Sequence, residues 1–303
     1  MNKKAIYERL RNLGIKDVRL DEMMKHHTSF KIGGPADIFV APESPEEIKA
    51  IIALCRREDI PFLIMGRGSN LLVRDGGIRG VVIKLGERFK AMEVEGLKIT
   101  ASAGVVLSAL VNEAVDHGLG GLEFAHGIPG TVGGALFMNA GAYDGEIKDV
   151  VEKVEALDLD GSIITLDNQD MKLGYRHSVF QEKPLVILKG TFILKKGEIN
   201  RLRERIRDFN RRRQQKQPLT YPSAGSVFKR PVGYYAGKLI QDAGLKGYRI
   251  GDAQVSELHC GFIINLGNAT ALDVLQLMDH VTGTVKGKFG VELSPEVRVI
   301  GEE

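Results

Sequence analysis

Six glycines fall at positions 127, 130, 133, 134, 141 and 145, in a stretch with almost no charge. So dense a run is expected to make neither a regular helix nor a good strand interior, and ordering it costs entropy. Its bare backbone is therefore expected to come close to something. Gly66-Arg67-Gly68-Ser69-Asn70, directly after the apolar run 61–65, is a second such place. Ser223-Ala224-Gly225-Ser226, close after a very basic helix, is a third. Three backbone-exposing loops in one chain point to a large ligand with anionic or amide-rich groups.

At 303 residues the chain is long enough for two or three domains with real cores. Charged residues make up 27% and the formal net charge is only +3, so there is no global nucleic-acid signature. No uninterrupted apolar run reaches membrane-spanning length, and the start, Met1-Asn2-Lys3-Lys4-Ala5-Ile6, lacks the apolar segment of a secretory signal. Cys55 and Cys260 lie far apart and form no disulfide framework or metal-spacing pattern. His26-His27 has no other histidine at ligand spacing. The expectation is a soluble cytoplasmic protein with reduced thiols, no metal and no membrane insertion.

Along the chain, an amphipathic helix is expected over 3–13 and a strand over 36–40. Ser44-Pro45-Glu46-Glu47 sets an N-cap, a first-turn proline and a capping-box acid in register. The helix they start carries Ile48, Ile51, Ile52 and Cys55 on one face, so Cys55 reads as core. Strands follow at 62–65 and 80–85, then a hairpin over 92–101 turning at Glu95-Gly96. A helix at 107–117 precedes the long glycine loop. A hairpin around Asp160-Gly161, a strand at 185–194 and a basic helix over 198–217 come next. Composition changes before Pro218, where a domain boundary is expected. Beyond it lie a helix at 236–243, a strand at 261–266, a helix at 269–286 and a final strand pair around Ser294-Pro295. The mixture gives an α+β class.

The basic run 201–216 is interrupted by Glu204 and Asp208, and its apolar Leu202, Ile206 and Phe209 suit a solvated helix packed by one face rather than an RNA surface. The loop at 66–70 is not a dinucleotide fingerprint, since the third glycine and the helix pattern are missing. No Gly-Lys-Ser/Thr appears, so it is not a phosphate-binding lysine loop either. Its small residues could form a nest for a pyrophosphate, or simply a tight turn. The 127–145 segment is harder to read as a turn, because it keeps Phe137, Met138, Asn139 and Tyr143 between its glycines.

Several of these motifs resemble, together and in order, the family of UDP-N-acetylenolpyruvoylglucosamine reductases. Gly66-Arg67-Gly68-Ser69-Asn70, the run 127–134 with Gly127, Pro129, Gly130, Gly133 and Gly134, and Asn139-Ala140-Gly141-Ala142-Tyr143 are similar to its FAD-binding core. The segments 174–180, 224–229 and 294–297 are similar to its three catalytic segments, with Arg176, Ser226 and Glu296 at the matching positions. The resemblance runs from about residue 28 to about residue 300. It implies two subdomains, 1–85 and 86–200, that clasp non-covalent FAD in the manner of the vanillyl-alcohol oxidase group. A C-terminal α/β substrate-binding domain, 201–303, follows. The chain passes from Leu194 through Lys195-Lys196-Gly197 straight into the basic helix, which resembles the family's shorter second type, without a clamping-tyrosine loop.

The reaction implied is reduction by NADPH, through FAD, of the enolpyruvyl group on a UDP-sugar, giving UDP-N-acetylmuramate for peptidoglycan. By the resemblance, Arg176 meets the substrate carboxylate, Glu296 steadies the developing oxyanion and Ser226 donates the proton. Lys216, Lys229 and His259 are implied on the substrate. The chain departs from the family at Arg230, where asparagine is common, and at Leu258 and Cys260, where lysine and alanine are usual. Taken singly, Arg176 passes for a surface ion-pair residue, Ser226 for a turn residue and Glu296 for an exposed acid at a strand edge. Three rivals stand beside this reading. One is an oxidase of the same fold, marked by a covalent flavin histidine and oxygen reactivity. Another is a non-catalytic UDP-sugar binder, which would not need Arg176, Ser226 and Glu296 together. The third is an RNA-binding protein using 201–216, marked by steep salt dependence.

Overall fold

In the computed structural model, which describes residues 2–86 and 88–303, the chain separates into two units that each gather discontinuous segments. One takes in residues up to Leu20, 38–67 and 80–213; the other takes in 21–37, 68–79 and 214–303. This pattern differs from the regions 1–85, 86–200 and 201–303. Residues on both sides of position 85 share one apolar core, and the basic helix stays with it as far as Arg213 because Leu202, Ile206 and Phe209 are buried there.

In the first unit, α1 (Lys3–Asn12) is capped by Asn2, whose side chain accepts the Ala5 N–H at 3.2 Å. Helix α2 (Pro45–Arg57) starts as its sequence dictates, with Ser44 Oγ accepting the Glu47 N–H at 3.1 Å. The Glu47 carboxylate accepts instead from the Glu43 N–H, at 2.8 Å, so it ties down the residue ahead of the cap. Cys55 is fully buried on the apolar face, and burial, with the Glu58 charge second, pushes its thiol up to about 12. The strand Phe62–Met65 after α2 pairs in parallel with Ile78–Lys84. The sheet runs in the order 18–23, 35–40, 78–84, 62–65. Strand Val18–Met23 escaped the sequence reading because it is an edge, with Arg19 and Asp21 exposed.

A five-stranded antiparallel sheet follows in the order 163–167, 151–157, 186–193, 98–102, 92–95. The 92–102 hairpin turns at Gly96-Leu97, one residue later than expected, with Glu95 opposite Lys98 and Gly96 at φ 60°. After α3 (Leu107–Asp116) comes α4 (Val132–Met138), a two-turn helix inside the glycine run where no helix was expected. Thr131 caps it, and Val132, Ala135 and Leu136 bury an apolar face that compensates the glycines. It packs so closely on strand 186–193 that a Cβ at Gly190 would lie 2.9 Å from Leu136. Strand Lys195–Lys196 pairs with Leu119–Gly120 and leads straight into α5 (Ile199–Lys216).

In the second unit, an antiparallel meander of 249–250, 253–255 and 263–265 accompanies α6 (Ala236–Asp242) and α7 (Ala271–Phe289). Val274, Leu277, Val281 and Val285 bury one face of α7 at helical spacing. Its first N–H groups, Ala271 and Leu272, donate to the Asp75 carboxylate at 2.9 and 3.1 Å. Gly290, at φ 68°, ends it. The strand pair expected around Ser294-Pro295 does not form. Proline has no N–H for a ladder, so Pro295 makes only an isolated bridge to Phe228, while 298–300 pairs in parallel with 71–73. No helix among the described residues is long and apolar enough to cross a membrane.

Candidate active site

In the first unit the two glycine loops meet. A Cβ on Gly66 would sit 2.4 Å from Thr131 Oγ1, so the end of strand 62–65 reaches the α4 cap only without a side chain. The N–H groups of Val132 and Gly133 donate to Val105 and Ala103 carbonyls at 2.8 and 2.9 Å, and that of Gly134 to Thr131 Oγ1 at 3.3 Å. Gly133 thus has a packing reason, since a Cβ there would lie 2.9 Å from the Ala103 Cβ. Arg67, Pro129 and Gly130 lie on the same two loops, Arg67 and Pro129 exposed. Gly141 and Ala142 pair with Glu146 and Gly145, and Tyr143 and Asp144 turn the hairpin at φ 52° and 64°. Both central residues being left-handed makes this a type I′ turn.

The buried face of α5 underlies this region. Tyr143 stacks on Phe209 with centroids 4.4 Å apart, and its hydroxyl donates to the Phe209 carbonyl at 3.0 Å. Asn210 Nδ2 donates to His126 Nδ1 at 3.1 Å. Arg213 presses against Gly127, where a Cβ would lie 3.1 Å from its Cδ and Nη1. Burial pulls the guanidinium's pKa down, and its Nε is buried with no hydrogen-bond partner among the described residues. The sequence reading missed Arg213, although it continues the 202, 206, 209 spacing of the buried face. A guanidinium N–H unmet among the described residues, beside Gly127, fits the carbonyl and phosphate oxygens of a flavin dinucleotide.

Arg176 belongs to the same unit. It holds φ 54° in a tight turn, its Nη2 is 3.4 Å from the Gly141 carbonyl, and its guanidinium lies 5.2 Å from the ring of half-exposed Tyr175. Asn139, expected on the cofactor, is fully buried, with its side chain bonded to Glu146, Gly174 and Lys148.

Ser226 and Glu296 belong to the second unit, and the backbone brings them together. The Glu296 N–H donates to the carbonyl of Val227, next to Ser226, at 2.7 Å, while Lys229 N–H donates to Ser294 O at 2.8 Å. Asn70 locks the acid from the other side: its Nδ2 donates to the Glu296 carbonyl at 3.1 Å and its own carbonyl accepts the Arg298 N–H at 3.0 Å. Gly68, at φ 63°, and Ser69 lead into that clamp. Ser226 also bridges Phe262, against whose ring His259 sits edge-on with centroids 5.1 Å apart. His259 packs on two glycines: Cβ atoms at Gly237 and Gly261 would lie 3.2 and 2.9 Å from its Cε1. Lys216 is exposed at the end of α5, and Leu258 is exposed beside His259. Arg230 covers the Tyr235 ring at 3.9 Å.

A family model described as the C-terminal domain of UDP-N-acetylenolpyruvoylglucosamine reductase matches residues 217–300, and one described as an FAD binding domain matches 36–167. The reductases of that name from Caldanaerobacter subterraneus subsp. tengcongensis and Clostridium novyi are 57% and 52% identical to the chain, covering 94% and 95% of it and 94% of each relative. The crystal structure of the reductase from Thermus caldophilus matches with a TM-score of 0.80 at 36% identity, covering 93% of this chain and 98% of that one.

Proposed function

Because the chain belongs to the UDP-N-acetylenolpyruvoylglucosamine reductase family, we propose that Arg176, Ser226 and Glu296 are its catalytic residues and that Lys216, Lys229 and His259 contact the substrate. It is an FAD-dependent UDP-N-acetylmuramate dehydrogenase of peptidoglycan precursor synthesis, with a vanillyl-alcohol-oxidase-type flavin region and the family's C-terminal domain. Bound FAD would supply the hydride chemistry that links NADPH to the enolpyruvyl double bond. Loops 66–70 and 127–134 and the 141–143 turn, with Arg213, would hold it without a covalent link. NADPH and a UDP-sugar are cytoplasmic metabolites, so the enzyme is proposed to work there.

Hydride added to the terminal carbon leaves negative charge on the neighbouring carbon and its carboxylate. The planar fork of Arg176 binds that carboxylate in two places at once. Glu296 is proposed to steady the developing oxyanion. Ser226 Oγ–H then gives its proton to the carbon. The observation that supports pairing these two residues is the 2.7 Å bond from Glu296 N–H to the carbonyl of Val227, which sets the Glu296 backbone against the residue next to Ser226.

Stopped-flow kinetics of Ser226→Ala tests it, because the two half-reactions differ in their need for a proton donor. Flavin bleaching by NADPH should stay near the parent rate. Reoxidation by the enolpyruvyl nucleotide should slow by roughly 10²–10⁴-fold, with Ser226→Cys recovering part of the loss. Equal slowing of both halves would mean that Ser226 only shapes the site.

A further inference from the structure

The turn that carries Arg176 is narrow and strained. Gly174 N–H donates to the His177 carbonyl at 3.1 Å, and His177 N–H returns a bond to the Gly174 carbonyl at 3.2 Å. Arg176 takes the third position at φ 54°, a left-handed conformation unfavourable for any residue with a Cβ. Such strain persists only where the surroundings over-determine it.

Those surroundings come from the end of α4. Asn139 Nδ2 donates to the Gly174 carbonyl at 2.8 Å and to Glu146 Oε2 at 3.0 Å, while its Oδ1 accepts the Lys148 N–H at 2.9 Å. Gln181 Nε2 straps the same turn, donating to the Arg176 carbonyl at 3.1 Å and the Phe137 carbonyl at 2.9 Å. Asn139 is itself left-handed, at φ 42°, where glycine ends a helix with least strain. What an asparagine adds there is its amide, which ties the Gly174 carbonyl of the turn to Glu146 and Lys148.

We propose that Asn139 is a positioning residue: its amide, together with Gln181, holds the 174–177 turn so that Arg176 presents its guanidinium to the substrate's carboxylate. This rests on the catalytic reading of Arg176. Asn139 then serves the reaction through Arg176 rather than by touching the cofactor.

Binding calorimetry on the FAD-loaded enzyme, without NADPH, separates the outcomes. The probes are the enolpyruvyl UDP-sugar and UDP-N-acetylglucosamine, which lacks the carboxylate. Arg176→Ala should abolish the preference for the carboxylate-bearing nucleotide. Asn139→Gly, which keeps the left-handed backbone, should cut that preference by roughly 10-fold or more, as expected for a misplaced clamp, with flavin content and UDP-N-acetylglucosamine affinity little changed. In the double variant the loss should equal that of Arg176→Ala alone. Equal losses for both probes, or additive losses in the double variant, overturn the positioning role. Full preference in Arg176→Ala overturns the reading of Arg176 itself, and the proposal with it. If Asn139→Gly loses flavin, Gln181→Met tests the same strap, and an unchanged preference there overturns the proposal.

Discussion

His259 accepts the Gly261 N–H on Nδ1 at 3.1 Å, which leaves the proton of a neutral ring on Nε2 as a donor. Burial lowers its pKa, with a bond to its own backbone opposing that shift. Between the folded pKa and the ordinary value of about 6.5, the unfolded chain binds a proton that the folded chain does not. The resulting stability is complete above the ordinary value and is lost as pH falls through the window below it. Urea unfolding of the parent and His259→Gln, from about pH 7.5 down to about pH 5.5, should show the parent losing stability relative to the variant. A difference independent of pH would mean that folding leaves the ring's proton affinity unchanged, contrary to the effect of burial. Arg176, Ser226 and Glu296 are proposed from their motif positions. Asn139's brace and Arg213's unmet Nε were not legible in the sequence, because both depend on which segments fold against them.

Helix α4 shows why glycine density misled at the level of elements. Propensity alone argues against a helix through Gly133-Gly134, yet the Thr131 cap and close approach to Ala103 and Gly190 outweigh it. Periodic helices such as α2 and α7 were legible because their apolar spacing states which face is buried. The 18–23 edge strand and the 141–146 hairpin carry no such signature. Gly133→Val drives a side chain into Ala103, which should cost about 1–3 kcal/mol and loosen the loop proposed to hold the flavin. Denaturant unfolding and the flavin-to-protein absorbance ratio check this. Full flavin content with unchanged stability would show that the glycine is dispensable there.

For the whole molecule, a left-to-right reading could not anticipate that 21–37 and 68–79 join the unit of 214–303, since a parallel pairing such as 71–73 with 298–300 leaves no trace in either segment alone. The order of the motifs along the chain survived that rearrangement, which is why the chemistry was easier to read than the units. The most direct test is an anaerobic cycle on the purified protein. NADPH should bleach its yellow flavin, and the enolpyruvyl UDP-sugar should restore the colour while an equal amount of UDP-N-acetylmuramate forms. Acid precipitation should then free the FAD. A flavin that recovers its colour only when oxygen is admitted would contradict the reductase assignment and favour an oxidase.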